Sequence, residues 1–244
     1  MKDDRSHMSL IGHLAELRRR IIIMVLYIVP SAIAVYGFSD RLRFVFTRLA
    51  VNLKLVYLSP SEALATNVKI AFLTAIVLTS PATIYQAWAF ISPGLRHDER
   101  SIAWKVVLCA TVLFFSGIAF AYFAVLPFVL RFMLGFADVN LQATFSYSRF
   151  IDFASSILLS FGLIFQLPVV VLLLVSLGLA TPGFLRANRK YAVLVVFVVA
   201  AILTPPDVLS QLLMAGPLVA LYELSVLVSN YAYRRRTARD WSKK

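Results

Sequence analysis

Residues 161–168 read Phe-Gly-Leu-Ile-Phe-Gln-Leu-Pro, which sets the side-chain amide of Gln166 inside a run of about 30 mostly apolar residues. A carboxamide offers neutral hydrogen bonding, with two donors and two acceptor lone pairs and no proton to exchange near neutral pH. In an apolar solvent it must find a polar partner, and a polar group in such a setting is a functional candidate by default. Pro168, two residues on, has no N–H for the carbonyl of Ile164, so a bend and a second free acceptor are expected at the same place. Other chemistry is offered by two acids in polar segments. Glu16 lies in His13-Leu14-Ala15-Glu16-Leu17-Arg18-Arg19-Arg20, and Glu99 lies between Asp98 and Arg100. One reading joins Glu16 and Glu99 in an acidic site within strongly basic surroundings. The plainer alternative is that Glu16 only supports its own helix through an i,i+4 pair with Arg20.

Much other chemistry is disfavoured. The three histidines, His7, His13 and His97, all fall outside the apolar stretches, where axial haem ligands or an intramembrane protease base would be needed. No Gly-rich phosphate loop and no Cys/His cluster of metal spacing occurs. A single cysteine, Cys109, excludes an internal disulfide. A non-enzyme without a cofactor is expected. An ion-coupled or small-solute transporter is the alternative, but Asp152, Asp207 and Glu223 lie near the ends of apolar stretches, and no inverted repeat is evident.

The elements that must position these groups are membrane helices. The 244 residues are 60% hydrophobic and 15% charged, and the mean hydropathy is +0.82. With about 20 apolar residues needed per crossing, six spans are expected, at 21–38, 68–91, 102–130, 150–179, 191–203 and 208–228. The fifth is short, and Pro205-Pro206-Asp207 turns it directly into the sixth. Leu10, Leu14 and Leu17 fall at helical spacing, which predicts an amphipathic surface helix within a cytoplasmic N-terminus of residues 1–20. A basic tail is expected over 229–244, and the first apolar run reads as a retained span, so that 1–244 forms a single integral membrane domain. The connection 39–67 holds Leu42-Arg43-Phe44-Val45-Phe46-Thr47-Arg48-Leu49, which suggests a short interfacial helix, and Ser59-Pro60-Ser61-Glu62, a helix start.

The net charge of +12 sorts by side. Lys and Arg concentrate in the N-terminus, around Arg96, Arg100 and Lys105, at Arg186, Arg189 and Lys190, and in the tail from Arg234 to Lys244. All four segments fall on one side of a six-span topology, so both termini are expected in the cytoplasm. The basic residues flank spans without forming a domain of their own, which argues for lipid contact and against nucleic acid.

Several motifs in order resemble one family. These are His13-Leu14-x-Glu16-Leu17-Arg18-x-Arg20; Tyr85-Gln86-x-Trp88-Ala89-Phe90-Ile91-x-Pro93-x-Leu95 with Glu99-Arg100; and Phe120-Ala121-Tyr122-Phe123 with Pro127. Phe161-Gly162-x-x-Phe165-x-x-Pro168 and Leu203-Thr204-Pro205-Pro206-Asp207-x-x-Ser210-Gln211 follow. Together they resemble TatC, the multi-spanning subunit of the twin-arginine protein translocase, over about residues 10–231. The resemblance implies an all-α, polytopic fold of six helices in a cupped bundle with short fifth and sixth members. It implies binding of twin-arginine signal peptides on folded precursors, TatA- and TatB-type single-span partners, self-association in a larger complex, and a bacterial or archaeal cytoplasmic membrane. Carried over by motif, Glu16, Leu17, Arg18, Phe90 and Glu99 would meet the signal, while Thr204 and Gln211, flanked by Leu203 and Met214, would receive a partner helix. Asp207 and Glu223 also match family positions. Gln166 stands where many members carry Glu, which weakens a mechanism needing a proton there and leaves one based on hydrogen bonding.

Overall fold

The computed structural model describes residues 10–50, 54–91, 103–135, 144–203 and 208–241. Helix α1 spans Leu10–Tyr36, α2 Ser39–Thr47, α3 Pro60–Ile91, α4 Ala103–Phe120 and α5 Leu126–Leu134. Helices α6 Tyr147–Ile164, α7 Leu167–Leu177, α8 Pro182–Ala187, α9 Arg189–Leu203 and α10 Val208–Trp241 follow. Four stretches are long and apolar enough to cross a bilayer: α1, α3, α4 continued by α5, and α6 continued by α7. Apolar side chains such as Leu26 (73% exposed) and Ile33 (72%) face outward along α1, which water would penalise and lipid tails would not. The protein is a helical, polytopic membrane protein. Helix α9 has 15 residues, about 22 Å, short of a full crossing, whereas α10 has 34.

Two differences from the expected elements have simple causes. The amphipathic segment is no separate surface helix; it runs on into the first span, because no Gly or Pro other than Gly12 interrupts residues 10–29. At the other end, α10 continues through Arg234–Arg236 to Trp241, in a stretch rich in Arg and Ala, which are strong helix formers.

The chain forms two compact units. One holds residues 1–43 and 67–111, the other residues 44–66 and 112–244. In the first unit, α1 meets α3 along an antiparallel seam. His13 stacks on Phe90 with ring centroids 4.3 Å apart, Arg20 bonds Gln86, and the Tyr27 and Thr83 hydroxyls bond at 2.9 Å. The α1 members recur every seven residues, two turns of helix, so they share one face.

In the second unit, α6 buries Tyr147, Phe150, Ile151, Ala154, Ile157, Leu158 and Phe161, a stripe at three- and four-residue spacing. Its tightest contacts come from two glycines. A Cβ on Gly117 would sit 2.6 Å from the Phe161 carbonyl oxygen, and one on Gly162 would sit 2.8 Å from the Phe114 ring. Glycine is what lets these helices approach. Between α4 and α5, Ala121–Val125 form a π-turn. Its cause is Pro127, which cannot donate to the Phe123 carbonyl, and Leu126 N–H reaches back to Ala121 instead. The Tyr122 hydroxyl there donates to the Val45 carbonyl at 2.8 Å. Helix α10 packs along α7 and α9, burying Met214, Leu218, Leu221 and Ser225.

Two loop segments of this unit are stapled together. Lys54–Val56 (β1) and Thr144–Ser146 (β2) form a parallel pair with Lys54 opposite Thr144. Beside them the Glu62 carboxylate accepts hydrogen bonds from Ser146 Oγ, from Ser148 N–H at 3.0 Å and from Leu58 N–H at 2.6 Å. Glu62 lies in the first turn of α3, ahead of the apolar run from Val68. These donors, the Ser146 hydroxyl first and the two backbone N–H groups after it, hold its carboxyl down at about 2.

Candidate functional site

The only acid of α1, Glu16, sits on the face that meets α3. Its Oε1 pairs with Arg20 Nη2 at 2.6 Å, one turn further on, with the side chains 25% and 17% exposed. The same guanidinium donates through Nη1 to Gln86 Oε1 at 2.9 Å and to the Gln86 carbonyl at 3.4 Å. Arg20 Nε is buried and has no partner among the described residues. Half-buried Phe90 lies under His13 and closes this end of the seam. The cluster is a partly shielded carboxylate set against guanidinium and amide groups, an arrangement that binds a planar cation through charge-assisted hydrogen bonds.

Not every residue expected here joins it. Leu17 is exposed, and Arg18, about 200° round the helix from Glu16, is exposed on the opposite side of α1. Glu99 lies outside the described residues. Gln86 was not picked out by the spacing of charges; the signal that could have found it is the helical offset of Gln86 from Phe90, which puts both on one face of α3.

At the break between α6 and α7, Gln166 is half-buried. Its N–H donates to the Leu163 carbonyl at 3.0 Å, and its own carbonyl accepts from Val169 and Val170, both at 2.9 Å. The expected bend is thus a two-residue interruption at Phe165–Gln166, with Pro168 in the first turn of α7. The ring of Phe165 lies 5.9 Å from that of Phe120, which packs the break against the end of α4.

Towards the C-terminus, Gln211 Nε2 donates to the Phe197 carbonyl at 3.0 Å, tying α10 to α9. Met214 is 1% exposed and belongs to the interior of its unit, whereas Ile202, Val208 and Leu212 are exposed. Leu203 ends α9, and Thr204 and Asp207 lie outside the described residues. Glu223 pairs with Arg189 Nε at 2.6 Å, and neighbouring Tyr222 donates to the Leu185 carbonyl at 2.6 Å. Glu223 is therefore held at the α8–α9 corner rather than in the middle of a span. Among the described residues no group of three or more His, Cys, Asp or Glu could hold a metal ion.

Comparison with known proteins agrees on one family. The profile described as Sec-independent protein translocase protein (TatC) matches residues 12–217. The Sec-independent protein translocase protein TatC of Carboxydothermus hydrogenoformans is 42% identical, covering 92% of this chain and 93% of its own length. TatCy of Bacillus subtilis is 38% identical over 94% and 92%. The crystal structure of the twin-arginine translocase receptor TatC in DDM superposes with a TM-score of 0.81 at 35% identity, over 89% of this chain and 99% of that one.

Proposed function

The chain belongs to the TatC family of Sec-independent protein translocase proteins, and from that premise we propose that it recognises the paired arginines of signal peptides on folded precursors. Members of this family are membrane transport subunits, not enzymes. The observation that carries the reading is the Glu16 cluster. A carboxylate on the inner face of α1 already holds one guanidinium, Arg20, at 2.6 Å. An incoming arginine has the same shape and charge, and Glu99, from the matching loop motif, supplies the second carboxylate. Lysine keeps the charge and loses the planar fork, so Arg-Arg is preferred. An apolar segment of the signal in the bilayer adds affinity by raising its local concentration.

TatA- and TatB-type single-span helices dock on α9 and α10, near Leu203, Thr204 and Gln211. The 15-residue α9 and the exposed Ile202, Val208 and Leu212 support that reading. Gln211 already spends one N–H on Phe197, so what it offers a partner is its second N–H and its amide oxygen. Met214 lies behind this face and acts by packing. The protein works as one membrane domain within a larger complex, in the cytoplasmic membrane, with both termini in the cytoplasm, a reading supported by the distribution of Lys and Arg.

Photo-crosslinkers incorporated one at a time test both halves. Positions 17, 90 and 99 should capture a twin-arginine precursor, and positions 202 and 212 a single-span partner. Precursor adducts confined to 202 and 212, with none at 17, 90 or 99, would refute the assignment.

A further inference from the structure

We propose that Arg20 is an internal competitor for the signal arginine, and that Gln86 is the place to which it withdraws. The inference rests on the reading of Glu16 as a signal contact. Three observations carry it. Arg20 Nη2 occupies Glu16 Oε1 at 2.6 Å, so the carboxylate is engaged before any ligand arrives. Arg20 Nη1 is separately anchored, at 2.9 Å to the Gln86 side-chain oxygen and at 3.4 Å to its carbonyl. Arg20 Nε is buried without a partner among the described residues, so the guanidinium is not fully satisfied where it sits.

When a signal guanidinium takes Glu16, Arg20 loses its anion. It keeps two neutral acceptors on Gln86 and is not left as a stranded charge, which would be the costly outcome. The exchange replaces one guanidinium with another, so the number of charge-assisted bonds to Glu16 is conserved. The site is open only for the fraction of time that Arg20 is withdrawn, and the apparent dissociation constant of every ligand is the intrinsic one divided by that fraction. Arg20 therefore sets a threshold. It weakens strong and weak ligands by one common factor, and a lysine-bearing segment, already weaker, falls below useful occupancy.

Opposite signs are required of two substitutions. Arg20→Gln removes the competitor and should tighten binding of a labelled Arg-Arg signal peptide and its Lys-Lys counterpart by the same factor, roughly tenfold per 1.4 kcal/mol of lost competition. Gln86→Leu removes the refuge while leaving the competitor, so it should weaken both peptides. In the double variant the Gln86→Leu effect should vanish, because nothing remains to withdraw. Arg19→Gln, which deletes the same charge from an exposed position, measures the general electrostatic contribution to be subtracted. Fluorescence anisotropy on the full chain in nanodiscs reads all of these. If Arg20→Gln weakens binding, or changes it no more than Arg19→Gln does, or if the two substitutions shift affinity in the same direction, Arg20 is a helix-supporting residue and the proposal fails. Glu16→Gln separates the layers. Unchanged peptide binding there overturns the underlying site, whereas loss of binding there with no gain in Arg20→Gln overturns only the competitor.

Discussion

At the scale of single residues, solvent decides what each polar group can do. Gln166 sits half-buried at a helix break, with Pro168 in the first turn of the helix that follows. Its side chain cannot titrate, so any part it has in transport is by hydrogen bonding. Gln166→Glu, which keeps a polar, hydrogen-bonding group there, should be tolerated, while Gln166→Leu should insert and fold yet slow export. Export rates of a twin-arginine precursor in membrane vesicles, beside detergent melting curves for the same variants, provide the check; wild-type export by Gln166→Leu would make the amide structural only. Arg18 was placed with Glu16 by the motif, but a two-residue step turns it about 200° away. Motif adjacency in the chain is not adjacency in space. Glu223 shows the same limit: its neighbours along the chain are apolar, and its partner, Arg189, comes from another helix.

At the scale of elements, the long apolar helices, the short α9, the helix at Ser39–Thr47 and the start at Pro60 were all readable, because each depends on local composition and on breakers. The π-turn at Ala121–Val125, the β1–β2 pair and the continuation of α10 were not. The first depends on which carbonyl Pro127 orphans, and the second joins segments 90 residues apart that are too short to show a strand pattern. The close approach of α4 to α6 yields a graded prediction. Gly117→Ala drives a Cβ to 2.6 Å from backbone oxygen, which cannot move alone, whereas Gly162→Ala meets a Phe114 ring that can shift. Overpacking of this kind costs about 1–3 kcal/mol and exceeds the gain of up to about 1 kcal/mol in helix propensity. Both variants should melt lower in detergent, Gly117→Ala by more.

The Glu62 staple predicts a pH dependence. Its carboxyl is held at about 2 against an ordinary value of 4.5, so folding favours the charged form. The stabilisation is complete above about 4.5 and fades as pH falls towards 2. The gap in melting temperature between the wild type and Glu62→Gln should therefore be widest at neutral pH and close across that window. A gap independent of pH would assign the effect to packing.

At the scale of the molecule, composition alone identified a membrane protein, and ordered motifs identified the family. What composition could not supply was the state of the recognition carboxylate, which is set by Arg20 and by a third residue on another helix, Gln86. The central claim is that paired arginines are bound by carboxylates at Glu16 and Glu99. It is tested most directly by the affinity of a purified Arg-Arg signal peptide for the nanodisc-embedded chain, measured for wild type, Glu16→Gln, Glu99→Gln and the double variant. Loss of one charge-assisted pair, worth about 1.5–3 kcal/mol, should weaken binding by roughly ten- to a hundredfold in each single variant. The double variant should no longer distinguish Arg-Arg from Lys-Lys. Wild-type affinity and undiminished preference for Arg-Arg in the double variant would contradict the claim.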